Sequence, residues 1–126
     1  MTPTARSLEV LRELGYVAQV VEQTIPHTQI KRDLLGVIDI VAVHHEYGIL
    51  GVQATSGSNH ARRVQKALAE PRLGIWLLAG AHFQVWSWRK AGKAGERKRW
   101  ALRREPVTTA DFPAPAFHVE PPKGDS

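Results

Sequence analysis

The stretch Val37 to Thr55, VIDIVAVHHEYGILGVQAT, joins two short apolar runs through the turn segment HHEYG and sets one acid, Asp39, inside the first run. Short, β-branched runs bounded by turn residues fold as strands. A loop over His44 to Gly48 makes Val43 face Ile49, and counting down the ladder sets Asp39 opposite Gln53 and Val37 opposite Thr55. Side chains alternate along a strand, so Asp39, Gln53 and Thr55 are expected on one face and Ile38, Ile40, Leu50, Val52 and Ala54 on the other. Opposed residues have Cβ atoms roughly 4.5–5.5 Å apart, which lets Asp39 and Gln53 touch one ion or water. An acid among apolar neighbours is costly unless it is paired or ligated. The competing expectations are that Asp39 caps a neighbouring loop, and that Gln53 and Thr55 are ordinary cross-strand polar partners.

The flanking sequence supplies helices and further strands. Thr2-Pro3 is a cap residue followed by a first-turn proline, and Leu8, Leu11 and Leu14 recur at helical spacing before Gly15. That predicts a short amphipathic helix, followed by a strand over Tyr16 to Glu22 and a long connection from Gln23 to Gly36. After Thr55, Ser56-Gly57-Ser58-Asn59 opens a second helix with Ala61, Val64 and Leu68 inward, ended by Glu70-Pro71. The runs Gly74 to Ala79, His82 to Trp88 and Lys98 to Arg103 are expected as strands, with a glycine-bearing loop over Lys90 to Glu96. The fold class is α/β, a mixed central sheet flanked by helices. The domain is expected to span 1–105, with a proline-rich flexible tail over 106–126.

With 126 residues, one domain is expected. There is no cysteine, which excludes disulfides, thiolate nucleophiles and cysteine zinc sites. No apolar run approaches the roughly 20 residues that span a bilayer, so a cytoplasmic protein without a membrane partner is expected. A net charge of +5 and a pI near 10.0 favour a polyanionic partner, nucleic acid first. Basic residues concentrate at Arg62, Arg63 and Lys66 on the second helix and at Arg89, Lys90, Lys93, Arg97, Lys98, Arg99, Arg103 and Arg104 near the last strands. Either set could be a solvated face or a phosphate contact. His44 and His45 are read as part of a solvated turn. The four tryptophans are expected in the core or on sheet faces, an exposed ring beside Arg89 being the exception to look for.

In the order of its elements, and in Asp39 followed across the hairpin by Gln53-Ala54-Thr55, the chain resembles the PD-(D/E)XK nuclease superfamily, including archaeal Holliday-junction resolvases and small phage-borne nuclease-like proteins. The resemblance covers Thr2 to about Ala79 and implies a restriction-endonuclease-like core: a helix, a three-strand meander, a helix and further strands. It implies Mg²⁺ or Mn²⁺ held by Asp39, the Gln53 amide oxygen and the Ala54 carbonyl, with a carboxylate from the first helix, Glu9 or Glu13. The family's acid-x-lysine motif stands here as Gln-Ala-Thr, so a carboxylate and the lysine are replaced. The missing lysine stabilises charge developing at the phosphate, and Lys66, Arg63 and Lys31 are candidates to relocate it, with Asp33 as a second acid at the rim. Catalytic roles are thus expected for Asp39, Gln53, Thr55, Glu9, Glu13 and Lys66. DNA contacts are expected from Lys31, Arg62, Arg63, Lys66, Arg89, Lys90, Arg97, Lys98 and Arg99.

Two functions remain open on the sequence. One is a metal-dependent DNA endonuclease with an altered motif, acting on branched DNA if it follows the resolvases, which also work as dimers. The other is an inactive DNA-binding or structural scaffold protein on the same fold.

Overall fold

A computed structural model describes residues 1–112 of the chain. Five strands form one mixed sheet. They are β1 (Val17–Val20), β4 (Ile40–His44), β5 (Gly48–Ser56), β6 (His82–Ala91) and β7 (Arg99–Val107), in the spatial order β1-β4-β5-β6-β7. β2 (Gln23–Thr24) and β3 (Lys31–Arg32) make a separate two-stranded ribbon inside the segment expected to be irregular. The first three strands of the large sheet are antiparallel neighbours, β6 runs parallel to β5, and β7 returns antiparallel. A parallel pair needs a crossover, and here it is made by α2 (His60–Leu68) and α3 (Pro71–Leu78). Among the described residues, no helix is long and apolar enough to cross a membrane.

The central hairpin has the expected register, Val43 opposite Ile49 and Ile40 opposite Val52. The alternation fails below Asp39, where the chain bends and the ladder ends at Ile40. Val37 therefore lies in a turn rather than opposite Thr55, and Ile38 does not share a face with Ile40. Its side chain lies against Gly51, where an added Cβ would sit 3.0 Å from Ile38 Cδ1 and 3.2 Å from Trp76 Cζ2. A side chain at position 51 would require Ile38 and Trp76 to give way, so glycine suits their close approach.

Helix α1 (Pro3–Glu13) starts where the cap predicts, with Thr2 Oγ1 accepting from the Ala5 N–H at 3.1 Å. It covers one face of the sheet, where Leu11 joins Ile40, Ala42, Leu50, Val52 and Trp86. Trp88 Nε1 donates to Ser7 Oγ at 2.9 Å and ties the helix to β6. On the other face α2 and α3 cover Ile38, Phe83 and Val85 with Ala67, Leu73 and Leu77. In α2 the buried first-turn residue is His60, while Ala61, expected inward, is exposed.

The segment Gly74 to Ala79, expected as a strand, belongs to helix α3. A continuous apolar run does not separate the two structures by periodicity. The start signal decides it: Pro71 occupies the first turn and the Glu70 carboxylate accepts from the Arg72 N–H at 3.0 Å. The folded unit also extends past residue 105. Val107 ends β7 and Phe112 is buried in the core beside Val37 and Leu73. The remainder of the expected tail lies outside the described residues.

Candidate metal and phosphate site

Glu22 follows β1, Asp33 follows β3 and Asp39 precedes β4, so three chain segments converge at one end of the sheet. Carboxylate oxygens of these residues lie within 4.8 Å of one another. The convergence is built by backbone pairing: the Val21 N–H donates to the Asp39 carbonyl at 2.8 Å, and the Asp39 N–H to the Val52 carbonyl at 2.9 Å. The acids line a cavity of about 350 Å³ with Gln53 and Ala54 of β5, Arg63 and Lys66 of α2, Lys31 of β3 and Thr4 of α1.

Asp39 is the buried member of the cluster, only 5% exposed. Its Oδ2 accepts from Gln53 Nε2 at 2.7 Å and from the Ala54 N–H at 2.9 Å. Burial, followed by the hydrogen bond and charge of Asp33, pushes its carboxyl up to about 8; the Ala54 N–H pulls the other way and Glu22 adds to the rise. The direction favours the protonated, uncharged carboxyl.

Among the described residues, two buried side-chain atoms on residues that line the cavity make no hydrogen bond: Gln53 Oε1, an acceptor, and Arg63 Nε, a donor. Leaving such groups unpaired costs about 1–3 kcal/mol each. One suits a cation and the other an anion. The Lys31 ammonium lies 4.0 Å from Glu22 Oε1, and Lys66 is exposed at the rim.

Several expected site residues lie elsewhere. Glu9 and Glu13 are exposed on the outer side of α1, beside Ala5, Leu8 and Arg12. Leu11, midway between them in sequence, is buried against the sheet, and two positions on a helix turn through about 200°. The α1 residue that reaches the cavity is Thr4. Thr55 is buried on the face of Gln53 but further along the strand, opposite Ser87, and does not line the cavity.

The expected phosphate contacts divide into groups. Lys31, Arg63 and Lys66 line the cavity. Arg62 is turned to solvent, with its guanidinium on the Asn59 carbonyl of the side chain. Arg89 lines a different hollow with Ser87 and Arg103, and Lys90 lies over the Trp100 ring at 5.5 Å. Arg97, Lys98 and Arg99 are exposed where β6 turns into β7. Trp86 and Trp88 are both buried; the exposed ring is Trp100, already covered by the Arg6 guanidinium at 4.0 Å. In the β4–β5 turn His44 Nδ1 accepts from the N–H groups of Glu46 at 3.0 Å and Tyr47 at 3.3 Å, a role within the turn.

Sequence reasoning missed Glu22, which ends an apolar strand and meets Asp39 only through the β1–β4 register. It also missed a buried chain on the α2 side. His60 Nδ1 lies 2.6 Å from Ser87 Oγ, and its Nε2 lies 3.0 Å from Glu105 Oε1, which also accepts from Arg103 at 3.2 Å. With Nε2–H donating to the carboxylate, Nδ1 accepts the Ser87 hydroxyl. This chain fixes the start of α2, and with it the helix that carries Arg63 and Lys66.

Comparison with protein-family models, with curated proteins and with solved structures returns no match for this chain.

Proposed function

We propose that the chain is a divalent-cation-dependent DNA endonuclease whose acids are Glu22, Asp33 and Asp39. The observation that carries the proposal is that Gln53 and Arg63, which line one cavity with three clustered carboxylates, each keep a buried side-chain atom without a hydrogen-bond partner among the described residues, Oε1 and Nε. A cation with a phosphate bound to it would satisfy both. Carboxylate, amide and carbonyl oxygens are the donors that Mg²⁺ and Mn²⁺ take. The order α1, a meander β1-β4-β5, a crossover helix α2 and the parallel strand β6 supports a restriction-endonuclease-like core.

A cation held there supplies Lewis-acid polarisation of the phosphate and a nucleophile at neutral pH. The protein's own part is to position. Glu22, Asp33 and Asp39 would hold the cation, and Gln53 fixes the Asp39 carboxylate while offering its free oxygen. Arg63 and Lys66 grip the scissile phosphate from α2, the role that a lysine at position 55 would have had. Exposed Arg97, Lys98 and Arg99 extend the basic surface for the flanking backbone. Val17, Val43 and Ile49, exposed and adjacent across three strands, offer an apolar surface for the two-fold pairing that the resemblance implies.

One observation favours a binding-only version: Thr55 is buried and carries no charge where the family has its lysine. Incubation of supercoiled, linear, gapped and single-stranded DNA with Mg²⁺ or Mn²⁺, beside Asp39→Asn and a chelator, separates the two. Cleavage lost in both controls supports the nuclease. DNA bound but uncut supports the binding module, and neither binding nor cutting removes nucleic acid from the proposal.

A further inference from the structure

A second cavity, of about 480 Å³, adjoins the acidic one and shares Asp33 with it as a common wall. Its lining is of another kind. Leu34 and Leu35 supply apolar surface, Gln23 an amide, and Arg32 and Arg72 two guanidinium groups. The Arg72 guanidinium is held in place by Glu70, whose Oε1 accepts from Nε at 3.0 Å and from Nη2 at 2.5 Å. The turn beneath it is unusual, since Leu35 stands at φ 53°, a left-handed conformation that costs a residue with a Cβ, followed by Gly36 at φ 75°. Leu34, which lines the cavity, is 39% exposed.

We infer that this cavity is a nucleotide subsite, taking one unpaired nucleotide next to the phosphate that the acidic site engages. The inference rests on the nuclease proposal and deepens it. Apolar side chains with an amide suit a base and its edge, and guanidinium groups suit the flanking phosphates. A stacked, paired base cannot enter a side pocket without leaving the helix, which is unfavourable in a continuous duplex and nearly free in a gap or flap. The substrate class is therefore DNA with an unpaired nucleotide at the site of cutting. A fully paired duplex and a fully paired four-way junction are both poor substrates.

The test uses the full chain with Ca²⁺ in place of Mg²⁺, and compares binding of duplex, fully paired four-way junction, gapped duplex and single strand of matched length. A 2-aminopurine in the gap reports the environment of the unpaired base. The expected result is at least about tenfold tighter binding of the gapped and single-stranded probes, with a change of 2-aminopurine emission. Arg32→Gln with Leu34→Ser, both at exposed positions, should remove that preference and the emission change. The same variant should keep duplex binding and the Mn²⁺-induced rise in Tm. Equal binding of all four DNAs, or a preference that survives the double variant, overturns the subsite. If Mn²⁺ still raises Tm through Asp39 in that case, the metal site stands without it; loss of the Mn²⁺ effect in the unaltered chain would instead strike at the nuclease proposal.

Discussion

Gln53 Nε2 and the Ala54 N–H both donate to one oxygen of Asp39, Oδ2, at 2.7 and 2.9 Å. Both bonds can be accepted by a neutral carboxyl or by an amide oxygen as well as by a carboxylate. The arrangement therefore holds the side chain at position 39 in place whether or not it is charged.

Asp39→Asn separates stability from metal binding. The asparagine Oδ1 can accept the same two bonds, while its Nδ2 can donate toward Asp33 and Glu22 and cannot ionise between them at high pH. Thermal unfolding without metal should show the variant as stable as the parent chain near pH 4 and more stable at pH 8. Mn²⁺ should raise Tm of the parent and leave the variant unmoved. A variant that still responds to Mn²⁺ would put the cation elsewhere.

The pH dependence has a definite sign. Asp39 is raised from 3.8 to about 8 in the folded chain, so between those values the native state binds a proton that the unfolded chain releases. Its contribution to stability is fully present below about pH 4 and lost as pH rises through about 8. Cation binding must displace that proton, so affinity should rise by up to about tenfold per pH unit below 8. Calorimetry in buffers of different ionisation heat would detect the released proton, and a pH-independent affinity would contradict the assignment.

The local signals that made Asp39 and Gln53 legible were strong: β-branched runs, a turn of fixed length and one acid where an apolar residue belongs. Register then followed by counting. Ile38 departs from its expected face because the bend at Asp39 breaks alternation, and a bend of that kind has no marker in the sequence. Glu22 was invisible for a different reason, since its place depends on pairing between β1 and β4 across a long connection. Glu70-Pro71 is legible as the close of one helix, and the same two residues also cap the next. His60 gave no signal beyond helix position, because its partners Ser87 and Glu105 come from strands far along the chain.

Ser7→Ala tests the attachment of α1. Ser7 Oγ donates to the Pro3 carbonyl at 2.8 Å and accepts from Trp88 Nε1 at 2.9 Å, so truncation leaves a buried indole N–H unpaired. A loss of about 1–3 kcal/mol in denaturant unfolding is expected. Because Thr4 lies one turn earlier on the same helix face, the Mn²⁺ response should persist at temperatures where the variant is folded.

His60→Ala should be costlier, because it strands the Ser87 hydroxyl in the core and frees Glu105 from α2. A loss of roughly 2–4 kcal/mol follows from two buried hydrogen bonds, one of them to a carboxylate. Ser87→Ala with His60→Ala removes both partners of one bond and should recover part of it, so a double-mutant cycle reads the coupling directly. Additive losses would mean that the chain of contacts does not act as a unit.

Salt dependence distinguishes the basic surface from the cavity. Each phosphate neutralised adds about 0.9 to the slope of log K against log salt on duplex DNA. Arg97, Lys98 and Arg99 are exposed at the β6–β7 turn, where they would meet the backbone away from the cut. Changing all three to Gln should lower the slope by up to roughly 3 and weaken all DNA forms alike. Arg63→Gln removes a cavity donor whose Nε is buried and unpaired in the free protein, so it should depress cleavage far more than binding. Should the triple variant abolish cleavage while leaving the slope unchanged, the turn would have to be reassigned from backbone tracking to the reaction itself.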